Sequence, residues 1–181
     1  MDPHPAVRET LAAALTADRA SFREQVATLA AEHGFGVDRL ETTPDTFDPP
    51  AAICPVADPD RPLVWRAWTL AQAPIGVVLA GAAYRGNPVL YANRATRQLT
   101  GYTLEELAGE NLRLLQGPDT AKKPVADLRE ALLTWNGVTV ELRNYRADGT
   151  PFENRVTLVP VPDADGTVSH WFGLQAAVPT E

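Results

Sequence analysis

Apolar residues between Ala6 and His33 fall at Leu11, Leu15, Phe22, Val26 and Leu29, at spacings of three, four or seven. That pattern predicts helix with one apolar stripe, stopped by Gly34. Asp18 and Gln25 lie near the stripe, which argues against a long coiled coil and leaves a helix or a helix pair packed on something else. The period is then lost. Residues 42–62, "TTPDTFDPPAAICPVADPDRP", hold six prolines and four aspartates, a density of breakers that prevents regular structure and reads as a linker. The expected organisation is a helical extension over residues 1–41, a proline-rich linker over 42–62 and a folded domain over 63–179.

Beyond the linker the period becomes two. "PIGVVLAG" and "NPVLYAN" predict two short strands joined by a turn at "AAYRG". "TLEEL" offers Thr103 as N-cap and Glu106 at the third helical position, a capping box, and Gly109 ends that short helix. A longer helix is expected from near Pro124 to Asn136-Gly137. Three strands follow, "VTVELRNYR", "PFENRVTLVPV" and "TVSHWFGLQAAV", with turns at Asp148-Gly149 and Asp165-Gly166. Two strands, then helices, then three strands describe an α+β domain with a five-stranded antiparallel sheet and helices on one face.

Alternation then says which way polar residues point. Val138, Val140, Leu142 and Asn144 share one face of their strand, as do Phe152, Asn154, Val156 and Leu158 on the next, so Asn144 and Asn154 face inward. Buried amides need partners, and loop backbone is as good a candidate as a ligand. The last strand is apolar on both faces, with Trp171, Gly173 and Gln175 on one and His170, Phe172 and Leu174 on the other. Its second face needs cover, either from the N-terminal helix or from a second copy of the chain.

Composition narrows the classes. The chain has 181 residues, 45% hydrophobic and 22% charged, enough for one ordinary domain plus an extension. A net charge of -7 and the lack of any Lys/Arg run argue against a nucleic-acid surface. A single cysteine, Cys54, excludes an intramolecular disulfide and a multi-cysteine metal site, and suits a reducing, cytoplasmic setting. No basic segment followed by an apolar one opens the chain, so no secretory signal is expected. The uncharged stretch between Arg66 and Arg85 is broken by Thr69, Gln72, Pro74, Gly76 and Gly81, which predicts a helix and a buried strand rather than a membrane span. His4, His33 and His170 are dispersed and have no nucleophile neighbour suggesting a triad, so no enzyme is expected.

An inward set of Asn111, Gln116, Asn144, Asn154 and Gln175 suits a flat heteroaromatic ligand whose edge both donates and accepts. Arg113 and Arg129 add two guanidiniums shaped to hold a phosphate. The run "NPVLYANRATRQLTGYTLEELAGENLRLLQGPDT", with "ELRNY", "ENRVTL" and "WFGLQ" downstream, resembles the LOV (light, oxygen, voltage) class of PAS domains from about Ile75 to Gln175.

The resemblance implies a flavin photosensor. Asn111 and Gln116 would lie along the flavin, and Arg113 and Arg129 would hold its phosphate. Asn144 and Asn154 would meet the pyrimidine edge, with Gln175 beside C4=O and N5. The short segment 116–125 lacks room for an adenine, which implies FMN rather than FAD. Such domains usually read "NCRFLQ", the cysteine adding to flavin C4a after excitation; this chain reads "NLRLLQ", and Leu112 against the flavin has no thiol. Ala80, Thr96 and Val156 also depart from the common pattern and imply a looser or reshaped pocket.

Two functions follow from the resemblance. One is a blue-light or redox sensor in which the flavin is photoreduced to the neutral semiquinone by Trp171, Tyr91, Tyr145 or Trp68, and Gln175 rotates its amide in response. The other is a light-independent PAS dimerisation module or a flavin redox sensor. The expected partners are a second copy of the chain, through the N-terminal helices and the outer sheet face, and a separate signalling protein; neither nucleic acid nor membrane is expected.

Overall fold

The computed structural model describes residues 5–179; the first four residues of the expected extension, His4 among them, lie outside the described residues. The order is α1 (Pro5–Ala14), α2 (Arg19–His33), α3 (Arg61–Thr69), β1 (Gly76–Gly81), β2 (Val89–Ala92), α4 (Arg94–Thr100), α5 (Leu104–Leu107), α6 (Lys122–Thr134), β3 (Val138–Tyr145), β4 (Pro151–Pro162) and β5 (Val168–Ala177). The five strands form one antiparallel sheet in the order β2-β1-β5-β4-β3, so that β5, last in sequence, is central.

Local signals set the element boundaries. Thr103 and Glu106 close the capping box at α5, and Asn93 caps α4 by accepting from the amide of Thr96. Gly34 ends α2 in the left-handed region at φ 69°, where its missing Cβ removes the steric cost. Asp18 accounts for the break in the first helical pattern. Its carboxylate accepts from the amide of Ser21 at 2.9 Å and from Ser21 Oγ at 2.6 Å, so it caps α2 and the stripe is carried by two helices.

All five stripe residues, Leu11, Leu15, Phe22, Val26 and Leu29, are buried within this one chain. They share a core with Val77, Leu79, Val159, Val161, Phe172 and Leu174. Cross-strand pairing of Val77 with Leu174 and of Leu79 with Phe172 puts those residues on the sheet face opposite Ala80, Trp171 and Gln175. Arg8 of α1 reaches across this outer face to Thr157 Oγ1 at 3.2 Å and to the carbonyl of Leu174 at 3.3 Å. Of the two covers expected for the outer sheet face, the N-terminal helices of the same chain supply it here.

Before α3 begins at Arg61, segment 42–62 contains only a short 3-10 turn, Ala51–Ile53. It still packs inward, because Phe47 is buried against Trp68 at 5.1 Å between ring centroids, and the Arg61 guanidinium stacks on Phe47 while donating to the carbonyls of Pro44 and Phe47. Proline density removes regular hydrogen bonding but not the capacity to bury an aromatic side chain. At the sheet end of α3, His170 Nε2 lies 2.7 Å from Asp60 Oδ1, tying β5 to the residue before α3. Among the described residues no helix is long and apolar enough to cross a membrane.

Candidate functional site

The inner face of the sheet, α6 and the turn Leu112–Leu115 enclose a cavity of about 290 Å³, the size of a small-molecule site. All eight residues expected at a ligand site line it: Asn111, Leu112, Arg113, Gln116, Arg129, Asn144, Asn154 and Gln175. The walls are aliphatic, with Leu115, Val125, Leu128 and Leu132 facing Leu142, Val156 and Leu158 of the sheet.

Three amides meet at the floor. Asn154 Nδ2 donates to Asn144 Oδ1 at 2.9 Å and to Gln175 Oε1 at 3.1 Å, linking β3, β4 and β5. Asn144 Nδ2 in turn donates to the carbonyl of Arg143 at 3.3 Å. Asn154 is 0% and Gln175 1% exposed, so these bonds form out of water and hold the amides in fixed orientations. Asn154 Oδ1 is buried with no partner, an acceptor left over at the cavity. Gly76 makes room for the end of the trio, since a Cβ there would stand 2.8 Å from Thr96 Oγ1 and 3.2 Å from Gln175 Cβ.

The opening stretch of the wall works differently. Asn111 spends both ends of its carboxamide on backbone: Oδ1 accepts from the amide of Arg113 at 2.9 Å and Nδ2 donates to the carbonyl of Gly86 at 2.8 Å. It shapes the turn that carries Leu112 to the cavity. Gln116, Arg113 and Arg129 are exposed at the rim, where guanidiniums remain hydrated until an anion arrives.

A protein-family description, "PAS domain", matches residues 75–175. The chain belongs to the PAS domain family. The chain is 42% identical over 109 residues to the bacterioopsin transcriptional activator of Halobacterium salinarum, covering 60% of this chain and 16% of that protein. It is 38% identical over 107 residues to the blue-light photoreceptor of Listeria innocua, covering 59% of this chain and 42% of that one. The chain thus spans less than half the length of these curated relatives. Among solved structures, a light-oxygen-voltage domain studied with a flavin analogue superposes with a TM-score of 0.59 at 37% identity, covering 62% of this chain and 83% of that chain. The five-stranded antiparallel sheet with its helices is the PAS/LOV fold.

Of the four aromatics considered as electron donors, only Trp171 lines the cavity of this PAS domain. Tyr91 pairs with Leu79 and so belongs to the outer face, where burial raises the pKa of its phenol. Tyr145 Oη accepts from the amide of Asp119 at 3.0 Å, and Trp68 sits under the Arg39 guanidinium. Asn87 is the wall residue that strand periodicity missed. It sits in the β1–β2 turn at φ 54°, with Oδ1 buried and unpartnered. The "GNP" sequence marks a turn there, but no local pattern says that its carboxamide faces a cavity.

Proposed function

We propose that this PAS domain is a flavin-binding blue-light sensor that works by photoreduction rather than through a cysteinyl adduct. The observation that carries the reading is the character of the cavity wall. Leu112 opens the lining turn, while Cys54, the only thiol in the sequence, is exposed in segment 42–62 with Sγ 3.4 Å from the carbonyl of Pro50.

The donor set suits a flavin. Asn154 Oδ1 is a spare acceptor, the amide trio presents both hydrogen-bonding senses, and Arg113 and Arg129 stand at the rim for a phosphate, which favours FMN over FAD. When bound, a flavin would supply blue-light absorption and one-electron redox chemistry. Trp171, which lines the cavity, would be the side chain to give up an electron to it.

Gln175 converts a change at the ligand into a change in the sheet. Its Oε1 accepts from Asn154 Nδ2, so rotating the amide sets a donor against a donor and obliges Asn154 to rearrange as well. The neighbouring carbonyl of Leu174 is held by Arg8 on the outer face, which gives β5 a direct line to α1. A change of 1.4 kcal/mol in that docking alters the docked-to-released ratio about tenfold. The relatives named above extend beyond the part that this chain matches, and a separate or attached effector would read this change.

An absorption spectrum before and after blue illumination tests the proposal. FMN-loaded protein is expected to lose its visible band slowly, faster with an added reductant, and Leu112→Cys is expected to gain a rapid bleach reversible in the dark. Protein that remains colourless after reconstitution, or an adduct in the unaltered protein that disappears in Cys54→Ser, would refute it.

A further inference from the structure

Asn154 and Gln175 at the cavity floor are 0% and 1% exposed, so a ligand that reaches them has to pass a wall that moves. Moving the sheet would break ladders that pair β3 with β4 and β4 with β5 along their lengths. The turn Leu112–Leu115 is fixed by the two backbone bonds of Asn111 and by the burial of Leu115. Of these walls, α6 is the least tied.

Little within α6 holds it down. Val125, Leu128 and Leu132 line the cavity, and of the described residues of the helix Ala131 alone, near its C-terminal end, is buried. Side-chain oxygens of Asp18, Asn93 and Thr103 cap α2, α4 and α5, but the N-cap of α6 is Ala121, which has no oxygen to offer. Lys122 and Lys123 occupy its first turn, where the helix dipole favours a carboxylate.

Residues 117–120 tie the start of this helix to β3. They form a closed turn, in which the amide of Thr120 donates to the carbonyl of Gly117 at 3.1 Å and the amide of Gly117 to Thr120 Oγ1 at 2.9 Å. Thr120 Oγ1 donates to the carbonyl of Arg143 at 2.7 Å. Tyr145 Oη accepts from the amide of Asp119 at 3.0 Å and donates to Asp119 Oδ2 at 3.3 Å. The Tyr145 ring abuts the Gly117 backbone, since a Cβ there would stand 3.0 Å from Cζ and closer still to Cδ2 and Cε2. Asp119 is exposed, so these bonds compete with water and each opens at modest cost.

We infer that residues 117–120 are a latch, released from Tyr145 and Arg143 when α6 swings about its Ala131 end to admit and discharge the cavity's ligand. Tyr145 and Thr120 act on the ligand only through the helix, as positioning residues. The latch closes the free and the loaded chain alike. Loosening it therefore speeds entry and release by the same factor and leaves affinity unchanged, whereas losing a ligand contact speeds release alone. The inference rests on the flavin reading for its probe, and its test separates the two.

The full chain is compared with Tyr145→Phe, which keeps the ring on Gly117 without the hydroxyl, and with Thr120→Val. Uptake of tritiated riboflavin and its release into excess unlabelled riboflavin are timed by rapid filtration, and amide hydrogen exchange is followed without ligand. Each variant is expected to raise both rates about fivefold with the dissociation constant within about twofold. Peptides from 117–132 are expected to exchange about fivefold faster, with β4 and β5 unchanged. Faster release without faster entry, unchanged rates, or exchange raised equally across the sheet would overturn the latch. Should either variant fail to fold, the other decides by the same criteria. If the unaltered chain takes up no riboflavin, the flavin reading falls, and exchange decides the latch, which unchanged exchange over 117–132 would overturn.

Discussion

Replacing Gly81 by alanine drives a methyl group into the His170 ring. A Cβ at Gly81 would stand 2.8 Å from His170 Cγ and 3.0 Å from Nε2, and closer still to Cδ2, where 3.4 Å is the lower edge of ordinary contact. The ring cannot simply swing away, because Ser169 Oγ lies 2.8 Å from Nδ1 and Asp60 Oδ1 2.7 Å from Nε2. Clearing the methyl moves the ring by about 1 Å, which carries Nε2 out of hydrogen-bond reach of Asp60.

Overpacking of this kind costs about 1–3 kcal/mol and the loss of a hydrogen bond to a carboxylate about 1.5–3 kcal/mol. The ring relieves part of the first by giving up the second, so the two do not add in full and the expected loss is about 2–4 kcal/mol. Urea unfolding followed by tryptophan fluorescence measures it, with His170→Ala and the double variant completing a cycle. Without the ring the methyl has space, and the cost of Gly81→Ala should fall below about 1 kcal/mol in the His170→Ala background. A Gly81→Ala protein within about 0.5 kcal/mol of the unaltered one, or an equal loss in both backgrounds, would refute the tie between β5 and the start of α3.

Changing Arg113 and Arg129 together to alanine should weaken FMN at least about tenfold more than riboflavin, because only FMN loses charge-assisted phosphate contacts; equal losses in a binding titration would reject the phosphate role. Trp135 ends α6 in the left-handed region at φ 58°, so Trp135→Gly should raise stability by about 1 kcal/mol, read as a higher Tm, and a lower Tm would mean that the half-exposed indole packs usefully. Hydrogen bonds from Ser21 hold the Asp18 carboxyl below its ordinary pKa of 3.8. The stability this contributes is fully present above 3.8 and lost as pH falls through the depressed value. Asp18→Asn should therefore flatten the acid limb of a Tm-against-pH curve, and identical limbs in both proteins would count against the cap.

Sequence by itself determined what depends on neighbours a few residues apart. The capping box at Thr103 and Glu106 and the alternation that turns Asn144 and Asn154 inward follow from hydrogen bonds and side-chain directions within one element. The stripe Leu11, Leu15, Phe22, Val26, Leu29 likewise announced a buried face. Tertiary structure decided what that face meets. Arg8 and Leu174 are 166 residues apart in sequence, and periodicity cannot distinguish a sheet in the same chain from one in a second copy when either would exclude the same water. Long-range packing also drew Phe47 out of a proline-rich tract into the core, removed Tyr91, Tyr145 and Trp68 from the cavity wall while leaving Trp171 on it, and turned Asn111 toward backbone. Asn87 joined the wall because strand pairing brings the β1–β2 turn to the cavity. The sequence shows that an amide is needed; only the assembled sheet shows whether its partner is a neighbouring carbonyl, another amide or the cavity.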